Sequence, residues 1–501
     1  MKFLKAIILL TGILALNTNT FAQSYAETAY LISRTNPGGT ARIQSLGGAQ
    51  TALGGDISLA LSNPAGLGMY NRSEVTISPM FLSYNYNNEF LGGRFDDTHN
   101  NFTFGSIGVA LHSPSYRNSD FVGGTFAITF TRTNDFNQHY TFGGLNTATS
   151  IIDSFIELAN GAPESQFNQG SPNYNTLTGL AYYNYLIGPE TVIDPDLDPT
   201  LYFTDILGIP FQTETASITG SSNQWSISYG GNYKDMLYFG AGIGVTSLRY
   251  RSEKTYREAF EDEPIDDLVI NERLDLSGSG INFNLGMIVR PVDIVQLGIS
   301  YTTRTYYNIE DLYEASMRTS WKNFEYLPGE ILGNESASTG ILVSEYNLNT
   351  PSRLSAGATV FLDKFGFITA SIERVNYGGA RFRSNFFGVS FEGDNQEIQQ
   401  TFGAVNNLRF GAEGRADKFR FRAGYAFLPD PLRLQGNFNR NTNLYSVGAG
   451  IKQKNFAIDL AYVLQEMNNT YRPYLLADGS APVSVQKFNT NNFMLTVGFN
   501  F

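Results

Sequence analysis

The sequence predicts an all-β protein: a transmembrane antiparallel β-barrel of about 14 strands, with an N-terminal hatch segment inside its lumen. Three observations lead there. Apolar residues recur with a period of two over long stretches, tight and long connections alternate along the chain, and the composition is aromatic, glycine-rich and poor in charge. The 38 Phe, 29 Tyr and 50 Gly stand against only 16% charged residues. A chain of 501 residues fits either several soluble domains or one large barrel.

The period comes first. In Lys418–Leu428 one face carries Phe419, Phe421, Ala423, Tyr425 and Phe427, and the other Lys418, Arg420, Arg422, Gly424 and Ala426. Asn455–Gln465 sets Phe456, Ile458, Leu460, Tyr462 and Leu464 against Ala457, Asp459 and Ala461. The last segment sets Phe493, Leu495, Val497, Phe499 and Phe501 against Asn492, Thr496, Gly498 and Asn500. Such alternation means strands with one apolar face. Each run is about ten residues or more, the length a tilted strand needs to cross a bilayer, whereas sandwich strands are shorter. A secreted sandwich or propeller is the soluble alternative.

Connections give a second line. Strands are expected at 74–86, 101–111, 122–133, 222–232, 236–251, 279–290, 293–305, 345–362, 365–377, 406–416, 418–428, 442–453, 455–466 and 490–501. The tight links Gly231–Asp235, Pro291–Val292, Asp363–Lys364, Asp417 and Lys454 each follow an even-numbered strand, and the long ones follow odd-numbered strands. That is the parity of an outer-membrane barrel with short periplasmic turns, long outer loops and both termini on the periplasmic side. The longest loop, 134–221, holds Ile151–Ala159, a short-helix candidate, and the acidic run Asp194–Pro199. That run lacks EF-hand spacing, so a solvated loop is preferred to a calcium site. Glu258–Asp267 is another acidic stretch, expected at a soluble loop tip.

Residues 1–22 read as a cleaved signal peptide. Lys2 and Lys5 precede the apolar run Ala6–Leu16, too short to span as a helix, and Thr20-Phe21-Ala22 supplies small residues before a cut at Gln23. Export then places the chain in the outer membrane of a Gram-negative bacterium. The domain plan is 1–22 signal peptide, 23–72 hatch and 73–501 barrel.

Residues 23–72 do not alternate. Gly47-Gly48 and Gly54-Gly55 permit tight packing and positive φ, and Asn63-Pro64 favours a turn. A small-residue segment joined to the periplasmic end of a barrel is suited to fold back into the lumen. The pattern across Gly47–Leu67, GG-x-x-x-A-x-G-G-D-x-S-x-x-x-x-NPAGL, resembles the N-terminal hatch of the FadL family of outer-membrane transporters for long-chain fatty acids and aromatic hydrocarbons. Ser279–Arg304 and Leu408–Pro431 look like hairpins of that family, and the terminal aromatics Phe499 and Phe501 resemble a signal read by the barrel assembly machinery. The loop sizes depart from the family, because the largest follows the third strand. The resemblance implies Asp56, Ser58, Asn63, Pro64, Ala65 and Gly66 as hatch residues. It also implies a lateral opening at a kink in the third strand, where Gly123-Gly124 marks either a bend or merely the strand start.

Chemistry is sparse. Without Cys there are no disulfides, thiolate sites or cysteine nucleophiles. His99 and His139 are placed in outer loops and His112 in a turn, with no partner at ligand spacing, so no metal or other cofactor is expected. Gly240–Gly244 and Gly278–Gly280 fall inside alternating strands and are not phosphate loops, and no G-x-S-x-G occurs. The net charge of -12 argues against a nucleic-acid partner. Glu373, Arg409, Glu413, Arg415, Arg420, Arg422 and Asp459 face inward, as a network tying barrel to plug would. The reading is a monomeric non-enzyme: a channel for passive uptake of hydrophobic small molecules, which lie in contact with membrane lipid at exit. Its rivals are a diffusion porin and a barrel of the same type that scaffolds exported proteins.

Overall fold

The computed structural model describes residues 24–501 except 116–119, 172, 191–199, 262 and 435–438. The signal-peptide reading of residues 1–22 and the acidic run Asp194–Pro199 lie outside the described residues. Fourteen strands form one closed ring, each at an expected place. They are β1 Glu74–Phe90, β2 Gly93–Pro114, β3 Phe121–Asp135, β4 Pro210–Tyr233, β5 Leu237–Phe260, β6 Ile265–Val292 and β7 Val295–Thr302. The second half comprises β8 Arg353–Phe361, β9 Gly366–Asn376, β10 Ala404–Ala416, β11 Phe419–Leu428, β12 Thr442–Lys452, β13 Phe456–Tyr471 and β14 Ser484–Asn500. Every neighbour pair is antiparallel, and β14 closes on β1 from Glu74↔Asn500 to Glu89↔Val485. Closure pairs every strand of the ring with a neighbour on each side, the condition for sheet to survive in hydrocarbon.

Alternation sorts the side chains as expected. On β5, Phe239, Ile243 and Val245 are exposed while Tyr238, Thr246 and Leu248 are buried. Ile281, Phe283, Leu285 and Met287 continue the outward apolar band on β6, and Phe493, Leu495 and Phe499 do so on β14. Above the band the outward residues of β5 become Arg249, Arg251 and Glu253. The strands nevertheless run on. β4 has 24 residues, about 80 Å at ~3.3 Å per residue, far more than a ~30 Å hydrocarbon core requires. Its upper half stands outside the membrane.

That extension corrects several expectations. The link after β1 is not a long loop, because both strands continue to a tight turn at Leu91-Gly92. His99 and His112 therefore lie in β2 and His139 in the short strand Gln138–Leu145, not in loops or a turn. The strand expected at 345–362 is two, Leu342–Asn349 and Arg353–Phe361, broken around Pro351, which has no N–H to donate. Glu258 is not at a soluble tip. It is fully buried, accepting from Ile151 N at 2.9 Å, Tyr256 Oη at 2.8 Å and Gln212 Nε2 at 2.7 Å. Asp267 is buried too, paired with Arg257 at 2.8 Å.

Helix α1, Ile151–Ala159, matches the candidate and starts from a capping box between Ser150 and Asp153. It packs with Phe167, Leu180, Ile265, Met317 and Trp321 into an apolar core of the outer cap. Among the described residues, no helix is long and apolar enough to cross a membrane.

Candidate functional site

The segment before β1 lies inside the barrel. It contains helices at Tyr25–Ser33, Ala41–Gln44 and Leu59–Ser62 and a 3₁₀ turn at Pro64–Met69. Ile43, Leu46, Leu53, Ile57, Leu59 and Leu67 are almost wholly buried. Gly47, Gly48 and Gly55 adopt φ of 64°, 74° and 66°, the left-handed conformation that glycine takes without a Cβ penalty. Gly54 serves differently: a Cβ there would run into Met69.

The wall is shaped to this segment. A Cβ on Gly230 or Gly240 would strike Pro64, on Gly286 Asn63, on Gly298 Thr51, on Gly411 Leu46, and on Gly424 Gly47. Inward polar side chains fill the places between. Ser228 Oγ and Asn284 Nδ2 donate to Ala60 O at 2.8 and 2.9 Å, Ala41 N donates to Thr496 Oγ1 at 2.8 Å, and Gly47 N to Ser446 Oγ at 3.0 Å. Backbone polar groups that a non-helical segment leaves open are thus satisfied by the wall.

The six expected hatch residues come together. Asn63 Oδ1 accepts from Ala65 N at 3.2 Å and caps the 3₁₀ turn that Pro64 begins, while its Nδ2 donates to Thr51 O at 2.6 Å. Ala65 packs on Tyr238 and Ile288, and Gly66 O accepts from Gly55 N at 3.2 Å. Asp56 accepts from Ser58 Oγ at 2.7 Å and Thr40 Oγ1 at 2.8 Å. Arg42 then links the hatch to the wall, 3.7 Å from Asp56 and 3.9 Å from Glu413 of β10. Spacing did not reveal Arg42, since a lone cation among small residues carries no pattern.

The inward charges form two clusters. Glu413 pairs with Arg415 at 2.8 Å and Arg422 at 2.7 Å, and Arg422 reaches Asp459 at 2.6 Å. Glu373 pairs with Arg409 at 3.0 Å and Arg353 at 3.4 Å, and Arg353 donates to Ser33 O of the hatch. Arg420 stays apart, donating to the Asp417 and Phe419 carbonyls.

Gly123 and Gly124 sit at the start of β3, opposite Pro114 and Ser113 of β2, where the register with β4 shifts between Phe121 and Gly123. Two further interruptions lie higher in the wall. Pairing of β2 with β3 ends at Ser106↔Thr131, although both strands continue outward. On β1, Pro79 breaks the ladder on both sides. Gly105 of β2 bulges out of register with β1, and pairing with β14 skips from Ile77↔Val497 to Met80↔Met494. Behind this place is a luminal cavity of about 110 Å³ bounded by Gly105, Asn134 and the hatch residue Pro37. In front of it is an apolar groove of about 620 Å³ lined by Phe81, Phe102, Leu460 and Phe493. Met80 and Met494 line both. A proline inside an alternating strand was the available signal, since a residue without N–H inside a sheet marks a bulge or an edge.

Solved structures resemble the chain in fold. Over 93% of its length the chain superposes on 99% of the Pseudomonas putida toluene transporter TodX, with a TM-score of 0.53 at 12% identity. The chain has the FadL-type barrel fold. A Pseudomonas aeruginosa FadL homologue gives a TM-score of 0.52 at 11% identity, and the Ralstonia pickettii toluene transporter TbuX gives 0.50 at 12%, each with 93% of this chain and 99% of the other covered. No protein-family model and no curated protein matches the sequence. The fold points to the outer membrane of a Gram-negative bacterium.

Proposed function

We propose that the chain is a monomeric outer-membrane channel for passive uptake of hydrophobic small molecules, in which hatch displacement admits the ligand and a gap in the wall releases it sideways. The observation that carries this reading is the pair of spaces on either side of Met80 and Met494, polar-edged inside and apolar outside. An apolar solute gains nothing from a watery axial path, whereas a sideways path returns it to hydrocarbon. Thioethers suit a gate, because an unbranched, polarizable side chain shifts rotamer at low cost. A lumen filled by a hatch tied through Arg42 and Asn63 weighs against a diffusion porin. The neighbours named as toluene transporters support a small hydrocarbon as cargo, and the resemblance of Gly47–Leu67 to the FadL hatch extends this to long-chain fatty acids.

The test is uptake of labelled toluene and oleate by cells producing wild type or the Met80→Trp/Met494→Trp variant, with heat-modifiable migration as the check on barrel assembly. Blocking the gap lowers uptake by about tenfold, equivalent to ~1.4 kcal/mol on the exit barrier. Unchanged uptake from a correctly assembled double variant removes the sideways route.

A further inference from the structure

Outside the apolar band, between the first hatch helix and the wall, lies a second cavity of about 170 Å³. Tyr25, Lys254, Glu272, Leu274, Asp311 and Tyr313 line it. Its volume is close to the ~150 Å³ cavity that holds a benzene ring. Its walls are aromatic and apolar on some sides, but charged on others.

Those charges do not balance. Lys254 Nζ lies 3.3 Å from Tyr471 Oη and 4.8 Å from that ring's centroid. Burial works against its ammonium, but Glu214 and Glu272 more than offset this and keep it charged. Lys254 is therefore already committed to two carboxylates. Glu272 accepts from Tyr313 Oη at 2.7 Å. Asp311 has less: it accepts from Tyr346 Oη at 3.2 Å, and among the described residues no cation is placed to compensate it. Two more acids lie within electrostatic reach of the cavity lining, Glu27 of Lys254 and Asp394 of Tyr25. Burial pushes the Asp311 carboxyl up to about 6, the response of an acid without a counter-ion.

We infer that this cavity binds a small organic ammonium with an apolar body of about one aromatic ring. Asp311 supplies the missing counter-charge, Glu272 a further acceptor, and the Tyr25 and Tyr313 rings the face for the cation. Carboxylates and aromatic faces together are the chemistry that recognises alkylammonium groups. An anionic ligand of the same size gains only Lys254, whose charge is already spent on acids, and meets Asp311 and Glu272 as like charges. This inference rests on the channel reading, because a cavity at the outer end of the lumen lies on the ligand's inward path.

Binding of three isosteric probes to the full-length protein decides it: 2-phenylethylamine, 2-phenylethanol and 3-phenylpropanoate, measured by isothermal titration at pH 7.5. The amine binds about tenfold or more tightly than the carboxylate, a difference of at least ~1.4 kcal/mol. Asp311→Asn weakens the amine by about tenfold and leaves the alcohol within about twofold, which also shows that the cavity is intact. Equal or tighter binding of 3-phenylpropanoate overturns the inference, as does an amine affinity that Asp311→Asn leaves unchanged, or no binding of any probe. Equilibrium binding is independent of the wall gap. Amine binding with unaltered uptake in the methionine variant removes the sideways route alone, and the reverse pattern removes this inference alone.

Discussion

The inner and outer halves of the lumen treat buried charge in opposite ways. In the inner half, Glu413 meets Arg42, Arg415 and Arg422, and Glu373 meets Arg353 and Arg409. Each of these two acids has more than one guanidinium, and the wall glycines bring hatch and barrel into direct contact. In the outer half, Glu214 accepts from Tyr471 at 3.0 Å, and Asp311 from Tyr346. At Asp311 a phenol stands where a cation would, beside an open cavity. Paired charge in a filled space holds a plug, whereas unpaired charge beside an empty space leaves room for a ligand. The outer acids are costly to keep, and their cost makes sense only where something else completes them.

Three experiments strain this contrast, the strongest first. Glu413→Gln strips the shared partner from Arg42, Arg415 and Arg422. Arg422 keeps Asp459 and Arg42 keeps Asp56, but removing one partner of a buried ion pair destabilises by about 3–5 kcal/mol. Denaturant unfolding of the purified barrel should show that loss, together with brief openings in planar-bilayer conductance as Arg42 lets go of the wall. A variant as stable and as silent as wild type means that the inner cluster does not hold the hatch.

Gly424→Val tests the filled space instead of the charge. Its Cβ would enter the backbone of Leu46 and Gly47, and overpacking of this kind costs about 1–3 kcal/mol. The barrel should assemble with normal heat-modifiable migration but with the hatch more accessible to limited proteolysis. An unchanged cleavage pattern would show that the wall glycine is not there for the hatch.

The smallest effect is a pH dependence in the outer half. Burial first, opposed by Lys254, pushes the Glu214 carboxyl up to about 7, and burial pushes Asp311 to about 6. Both are raised above their unfolded values near ~4. In the window from about 4 to 7 the folded state therefore binds more protons than the unfolded state, so stability falls as pH rises through it. Tyr346 donates to Asp311, and Tyr25, Lys254, Glu272 and Tyr313 share its cavity. Asp311→Asn should flatten the decline in thermal midpoint between pH 5 and 8, and an unaltered slope would remove Asp311 as its source.

Much of the barrel was legible because period two is a local property. Which residues face lipid follows from parity alone, and Phe419, Phe421, Leu460, Phe493 and Phe499 all fall outward as the pattern requires. The strand ends were not legible. Once the outward residues of β5 pass from Val245 to Arg249 and Arg251 the hydropathy signal stops, but the hydrogen-bond ladder continues to Phe260. Glu258 was misjudged for the same reason: acid residues in sequence look solvated, and only the folded neighbourhood brings Gln212, Tyr256 and the start of helix α1 to one of them.

The sequence by itself determined the fourteen strands of the barrel wall, their facing, the tight turns after the even-numbered strands and the small-residue segment that could enter a lumen. These depend on residues within about ten positions of one another. Only the tertiary structure decided which glycines are cradles, since Gly240 and Pro64 or Gly424 and Gly47 meet through closure of the ring. It also decided that Pro79, Met80, Gly105 and Met494 share one place in the wall, and that Asp311 looks into a cavity where, among the described residues, no cation is ion-paired with it. Those are contacts between strands far apart in the chain, and a period of two says which face a residue takes but not what stands across from it.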